Sequence, residues 1–85
     1  MQNSNDYKGF SLFKDIEDQT LRNRNRAVIL TNIIETNLNK ETKKVNVKGT
    51  ALVLNYFSQI PEDERKDVED RFTVEMIHRG FIKQA

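Results

Sequence analysis

The chain has no cysteine and no tryptophan, one proline, one histidine and three glycines. Without cysteine it holds no disulfide and no thiolate zinc site. A lone histidine leaves no HExxH pair to bind a metal along a helix. The scattered glycines form no phosphate-cradling loop. No apolar run approaches the roughly 20 residues needed to cross a bilayer, so no membrane partner is expected. The opening MQNSNDYKGF lacks the basic and then apolar pattern of a secretory signal. A soluble protein of a reducing, cytoplasmic compartment is the resulting expectation.

Catalytic chemistry is poorly supplied too. Nucleophilic catalysis needs a base held beside a hydroxyl or thiol, and nothing in the sequence places His78 beside Ser11 or Ser58. His78 reads as a surface or capping residue in a last helical turn. Six acids crowd residues 62–70, but their spacing is not that of a calcium-binding loop. A helical first turn, where the dipole favours anions, explains them. No enzyme, no cofactor and no metal are expected.

What the chain does have is a dense centre, Arg22–Leu38, RNRNRAVILTNIIETNL. Ala27, Leu30, Ile34 and Leu38 recur at helical spacing, with Thr31 between them, and Val28, Ile29 and Ile33 widen the face. The β-branched run Ala27–Leu30 is short enough for a strand, but the recurrence out to Leu38 favours a helix. Eighty-five residues make one domain. So small a chain buries little core, which makes self-association into a homo-oligomer a natural supplement.

The expected fold is all-α: a small bundle of three main helices plus a short N-terminal helix. The short helix starts at Ser11 as N-cap and either ends near Gln19 or continues into the central helix, with a break or kink expected close to Thr20. The central helix ends at Asn39 in a left-handed cap conformation. Val45 and Val47 alternate with polar residues, a strip too short to found a sheet. Asn46 caps a second helix, Val47–Ile60, whose Val53, Tyr56, Phe57 and Ile60 share a face. Gly49 there either costs about 1 kcal/mol relative to alanine or lets another backbone come close. Tyr56 reads as a core-edge aromatic rather than a base-stacking platform. Pro61 suits a first helical turn, and the last helix runs to about Arg79 with Val68, Phe72 and Met76 buried. Gly80 fits the position just past its end, with Phe81 packing back on Met76. Residues 1–9 and 82–85 are expected to be mobile.

Net charge is only +1, but it is unevenly spread. Residues 1–20 carry a balance of −2, residues 21–48 of +5, residues 49–70 of −4 and residues 71–85 of +2. The basic middle can mark an anion-binding face. Its candidate nucleic-acid-binding residues are Arg22, Arg24, Arg26, Lys40, Lys43, Lys44 and Lys48. Arginine's planar fork suits phosphate. The plainer alternative pairs Asp18 with Arg22 at i,i+4 and leaves Lys40, Lys43 and Lys44 to offset a helix C-terminal dipole.

The passages GFSLFKDIEDQTLRNRNRAVILTNI and LVLNYFSQIPEDERKDVEDRF resemble the small accessory and anti-defence proteins of T-even-type bacteriophages. The resemblance is one of overall character: short, rich in Asn and Lys, helical and free of enzyme motifs. That class includes TifA-like antitoxins, which counter a bacterial endoribonuclease toxin and associate with RNA. It implies partners for this chain: a host protein such as a ribonuclease toxin, RNA, or both. The alternative is a protein-only adaptor in which the acidic helix after Pro61 faces the basic centre. A DNA-reading helix-turn-helix over Val47–Ile60 and Pro61–Arg79 is discounted, because the acids sit where base contacts belong.

Overall fold

The structure, a computed structural model, describes the backbone of residues 4–83 and the side chains of residues 14–83. It is built from three α-helices and one small hairpin: α1 (Ser4–Thr36), β1 (Leu38–Asn39), β2 (Lys44–Val45), α2 (Val47–Ser58) and α3 (Arg65–His78). A 3-10 turn over Glu62–Glu64 leads into α3. The all-α expectation holds broadly, with one correction at the N-terminal end. The short first helix and the central one are a single helix, unbroken at Thr20, and Ser11 lies inside it rather than capping it. No glycine or proline occurs between residues 10 and 36, so nothing in the backbone forces an interruption. Residues 4–9 belong to the same helix; the expectation of mobility at residues 1–3, 84 and 85 falls outside the described residues.

The buried stripe of α1 is Asn23, Ala27, Leu30 and Thr31. The positions step by three, four or one, as one helical face requires. Thr31 hides its hydroxyl by donating to the Ala27 carbonyl at 2.8 Å. Leu30, Ile60 and Val68 form the core, with Val53, Tyr56, Phe57 and Phe72 packed against them. Tyr56 is thus a half-buried core aromatic. Helix α3 runs in the same direction as α1: Glu64 meets Arg26 near its start, and Arg79 meets Asn32 and Glu35 at its end.

Asn37, not Asn39, closes α1. Its backbone N–H reaches the Ile33 and Ile34 carbonyls, and its side-chain amide also donates to the Ile33 carbonyl. Asn39 instead organises the hairpin turn, its Oδ1 accepting from Glu41 N at 2.9 Å and Thr42 N at 3.0 Å. Leu38 pairs with Val45 and Asn39 with Lys44, antiparallel. Lys43 takes the left-handed conformation that closes the turn, at φ 63°. Asn46 caps α2 by accepting from Gly49 N at 2.7 Å. Gly49 is there for close approach: a Cβ would collide with Asn37 Cβ and lie 2.8 Å from Val45 Cγ1.

At the other end of α2, Arg65 holds the exit of the helix, its terminal nitrogen donating to the carbonyl of Ser58, the last helical residue, and its Nε to the Ile60 carbonyl just beyond. Pro61 precedes the 3-10 turn, and α3 proper begins at Arg65. Helix α3 ends in a Schellman arrangement: Phe81 N–H to the Met76 carbonyl at 2.9 Å, Gly80 N–H to the Ile77 carbonyl at 3.0 Å, and Gly80 at φ 78°. Ile82 and Lys83 follow outside the helix.

The stretch of α1 from Lys14 to Arg22 stands clear of the bundle. Every residue from Lys14 to Arg22 is exposed, and the molecule measures 62 × 26 × 18 Å. No helix among the described residues is long and apolar enough to cross a membrane.

Candidate nucleic-acid interface

The alternating R-N-R-N-R segment divides its side chains between core and solvent. Asn23 is fully buried between α1 and α3. Its Nδ2 donates to Asp67 Oδ2 at 3.0 Å, and its Oδ1 accepts from the Arg26 guanidinium at 2.8 Å. The same guanidinium nitrogen of Arg26 reaches Glu64 Oε1 at 2.9 Å, with the Arg26 side chain only 21% exposed. Arg71 Nε completes the cluster on Asp67 Oδ2 at 2.9 Å. The hydrogen bond from Asn23, followed by that from Arg71, holds the Asp67 carboxyl below the usual carboxylate range. Arg26 therefore works inside the fold, tying α1 to α3, and is not a free phosphate ligand.

Arg22 and Arg24 are exposed. The i,i+4 pair of Asp18 with Arg22 does not form; Asp18 instead faces Lys14 at 3.9 Å. Among the described residues neither Arg22 nor Arg24 lies within ion-pair distance of a carboxylate.

The four lysines lie elsewhere. Lys40, Lys43 and Lys44 belong to the hairpin and Lys48 to the first turn of α2, and all four are exposed. The last turn of α1 holds no basic residue, so these lysines do not sit against its dipole as the plainer reading had it. Twelve steps along the helix lead from Arg24 to Thr36, a span of about 18 Å at 1.5 Å per residue. The expected single basic surface is thus two surfaces, one at either end of the bundle. None of the four lysines makes an ion pair among the described residues.

The lysine hairpin overhangs an apolar cleft of about 350 Å³, floored by Ile34, Leu38, Val45, Met76 and Phe81 and walled by Lys40, Lys43 and Arg79. Arg79 is already engaged: its Nε meets Glu75 at 2.9 Å, and its terminal nitrogen meets Asn32 at 2.7 Å and Glu35 at 3.2 Å. It braces the wall, and Lys40 and Lys43 are the free cations beside the opening. His78 is exposed at the end of α3. No group of three or more acids or histidines able to hold a metal occurs among the described residues.

Asn23, Arg65 and Arg79 were not singled out from the sequence. Asn23 had a usable signal: it precedes Ala27 by four and Leu30 by seven, which puts it on the core face. Arg79 had half of one, the i,i+4 spacing from Glu75, while Asn32 and Glu35 are brought to it by tertiary structure; the acceptors of Arg65 are carbonyls five and seven residues back, which no side-chain pattern marks. No protein-family model, no curated protein and no solved structure matches this chain.

Proposed function

We propose that this chain is a non-catalytic binding protein that holds single-stranded RNA at its hairpin end. Lys40, Lys43, Lys44 and Lys48 take phosphates, contacts that position the strand without reading its sequence. The neighbouring cleft receives one unstacked base against Phe81. A single strand offers such a base and a duplex does not. The observation that carries this reading is the conjunction of four exposed, unpaired lysines with an apolar cleft two of them help to wall. The phage resemblance adds a setting: inhibition of a host endoribonuclease toxin, whose RNA this surface would share.

The test is fluorescence anisotropy on labelled single-stranded and duplex RNA at low salt. The parent is expected to prefer the single strand. Replacing the four lysines with alanine abolishes binding, Phe81→Ala removes the preference for single strands, and Arg22→Ala with Arg24→Ala leaves binding in place. A parent with no RNA affinity overturns the reading. The protein-only adaptor then becomes the better account, favoured by the contact that the acidic start of α3 already makes with the basic centre through Glu64 and Arg26.

A further inference from the structure

Helix α2 is the least charged of the three helices, with Lys48 its one ionic residue. Gly49, Val53 and Tyr56 turn inward to the core. Half a turn away, Val47, Ala51, Leu54 and Ser58 follow at steps of four, three and four, which is one helical face. All four are exposed, Val47 at 86% and Leu54 at 64%. Ser58 turns its hydroxyl back to the Asn55 carbonyl at 2.8 Å, so it presents a small surface with its donor already used. A helix apolar on opposite sides is suited to packing on both, and the fold covers only one.

The outer stripe alternates in size: large Val47, small Ala51, large Leu54, small Ser58. Laid antiparallel on itself, with the two-fold axis between Ala51 and Leu54, it sets Leu54 on Ala51 of the other copy and Val47 on Ser58. Every layer then joins a large side chain to a small one, the interdigitation that close packing needs. Laid parallel, the stripe sets large on large and small on small. Charge favours the same direction. Lys44 and Lys48 mark the start of α2, and Glu62 and Asp63 follow its end, all exposed. Neither acid makes an ion pair among the described residues. An antiparallel partner brings each acidic turn toward the other copy's lysines, an attraction that sets orientation more than affinity.

We infer that the outer face of α2 is the seam of a two-fold dimer, covered by α2 of a second copy running antiparallel. The contact is isologous, each pairing made twice. From Val47 to Ser58 the seam is about 17 Å long at 1.5 Å per residue. So short an interface makes a weak, concentration-dependent dimer. No residue of the seam lines the apolar cleft at the hairpin, so the test needs no RNA.

The absence of cysteine lets two engineered thiols report the geometry. Full-length Val47→Cys and Ser58→Cys chains each carry one thiol at an exposed position of the seam. Mixed and oxidised in air, they are expected to form a disulfide-linked heterodimer about tenfold or more faster than either links to itself. Each thiol faces the other's position, whereas its own counterpart lies about 17 Å away along the axis, beyond disulfide reach. Sedimentation equilibrium of the parent up to about 1 mM should show the dimer, and Leu54→Glu should weaken it about tenfold or more. Leu54 faces solvent in the single chain, so circular dichroism should show helicity retained. A parent that stays monomeric at that concentration, a Leu54→Glu chain that associates like the parent, or self-linking as fast as mixed linking would each overturn the proposal.

Discussion

Replacing Asn23 with alanine isolates the polar joint between α1 and α3. The change removes a fully buried side chain that donates to Asp67 at 3.0 Å and accepts from Arg26 at 2.8 Å. A hydrogen bond to a charged partner contributes about 1.5–3 kcal/mol net. The full sum overstates the loss, because the Asp67 side chain is 45% exposed and water can replace the missing donor there. Arg26, at 21% exposure, keeps Glu64. The expected destabilisation is about 2–3 kcal/mol, set against a total of about 4–13 kcal/mol for a chain of this length at ordinary stability per residue. At about 4–8 °C per kcal/mol for so small a domain, the midpoint should fall by about 8–24 °C. Urea and thermal unfolding followed by circular dichroism measure it. A double-mutant cycle with Asp67→Ala should return a coupling of about 1 kcal/mol. A loss below about 0.5 kcal/mol, the range of an ordinary surface change, would refute the view that this buried amide joins the helices.

Arg26→Ala is expected to destabilise the fold by about 1–3 kcal/mol, because it strands Glu64, whereas Arg22→Ala and Arg24→Ala should change monomer stability by less than about 0.5 kcal/mol; urea unfolding at low protein concentration separates them. Gly49→Ala would gain about 1 kcal/mol of helix propensity but drives a methyl into Asn37 and Val45, so a net loss of about 1–2 kcal/mol is expected from the midpoint shift. Lys43→Gly relieves a side chain held at φ 63° and should raise stability by about 1 kcal/mol while weakening RNA binding, so a midpoint and an anisotropy titration move in opposite directions. The folded-state pKa of Asp67 lies below its unfolded value. Its contribution is therefore fully present above the ordinary carboxylate range and is lost as pH falls through the depressed value. Stability measured against pH should show this acid-side loss in the parent and a shallower one in Asp67→Asn.

Much of the architecture could be read from local chemistry. Asn46, Pro61 and Gly80 mark boundaries because caps and turns depend on a residue's own geometry. The core stripes of all three helices follow from spacing. The break expected at Thr20 failed because a good N-cap residue does not end a helix that nothing else interrupts. The hairpin was hidden for the opposite reason: its turn rests on Asn39 capping two backbone amides and on a lysine, not a glycine, in the left-handed position. The fate of Arg26 was beyond any local reading, since Glu64 is 38 residues away in sequence. Charge counting saw one basic centre; three-dimensional placement consumed one arginine and set the lysines at a separate end.

The most direct measurement of where the functional charge lies is the salt dependence of single-stranded RNA affinity for the parent, the four-lysine variant and the Arg22→Ala/Arg24→Ala variant. With about 0.7 added to the logarithmic slope per phosphate neutralised on a single strand, four lysines predict a slope near −3 for the parent. The arginine variant should keep that slope and the lysine variant should lose it. A lysine variant that retains the parent's slope, with the arginine variant losing it, would contradict the assignment of RNA binding to the hairpin.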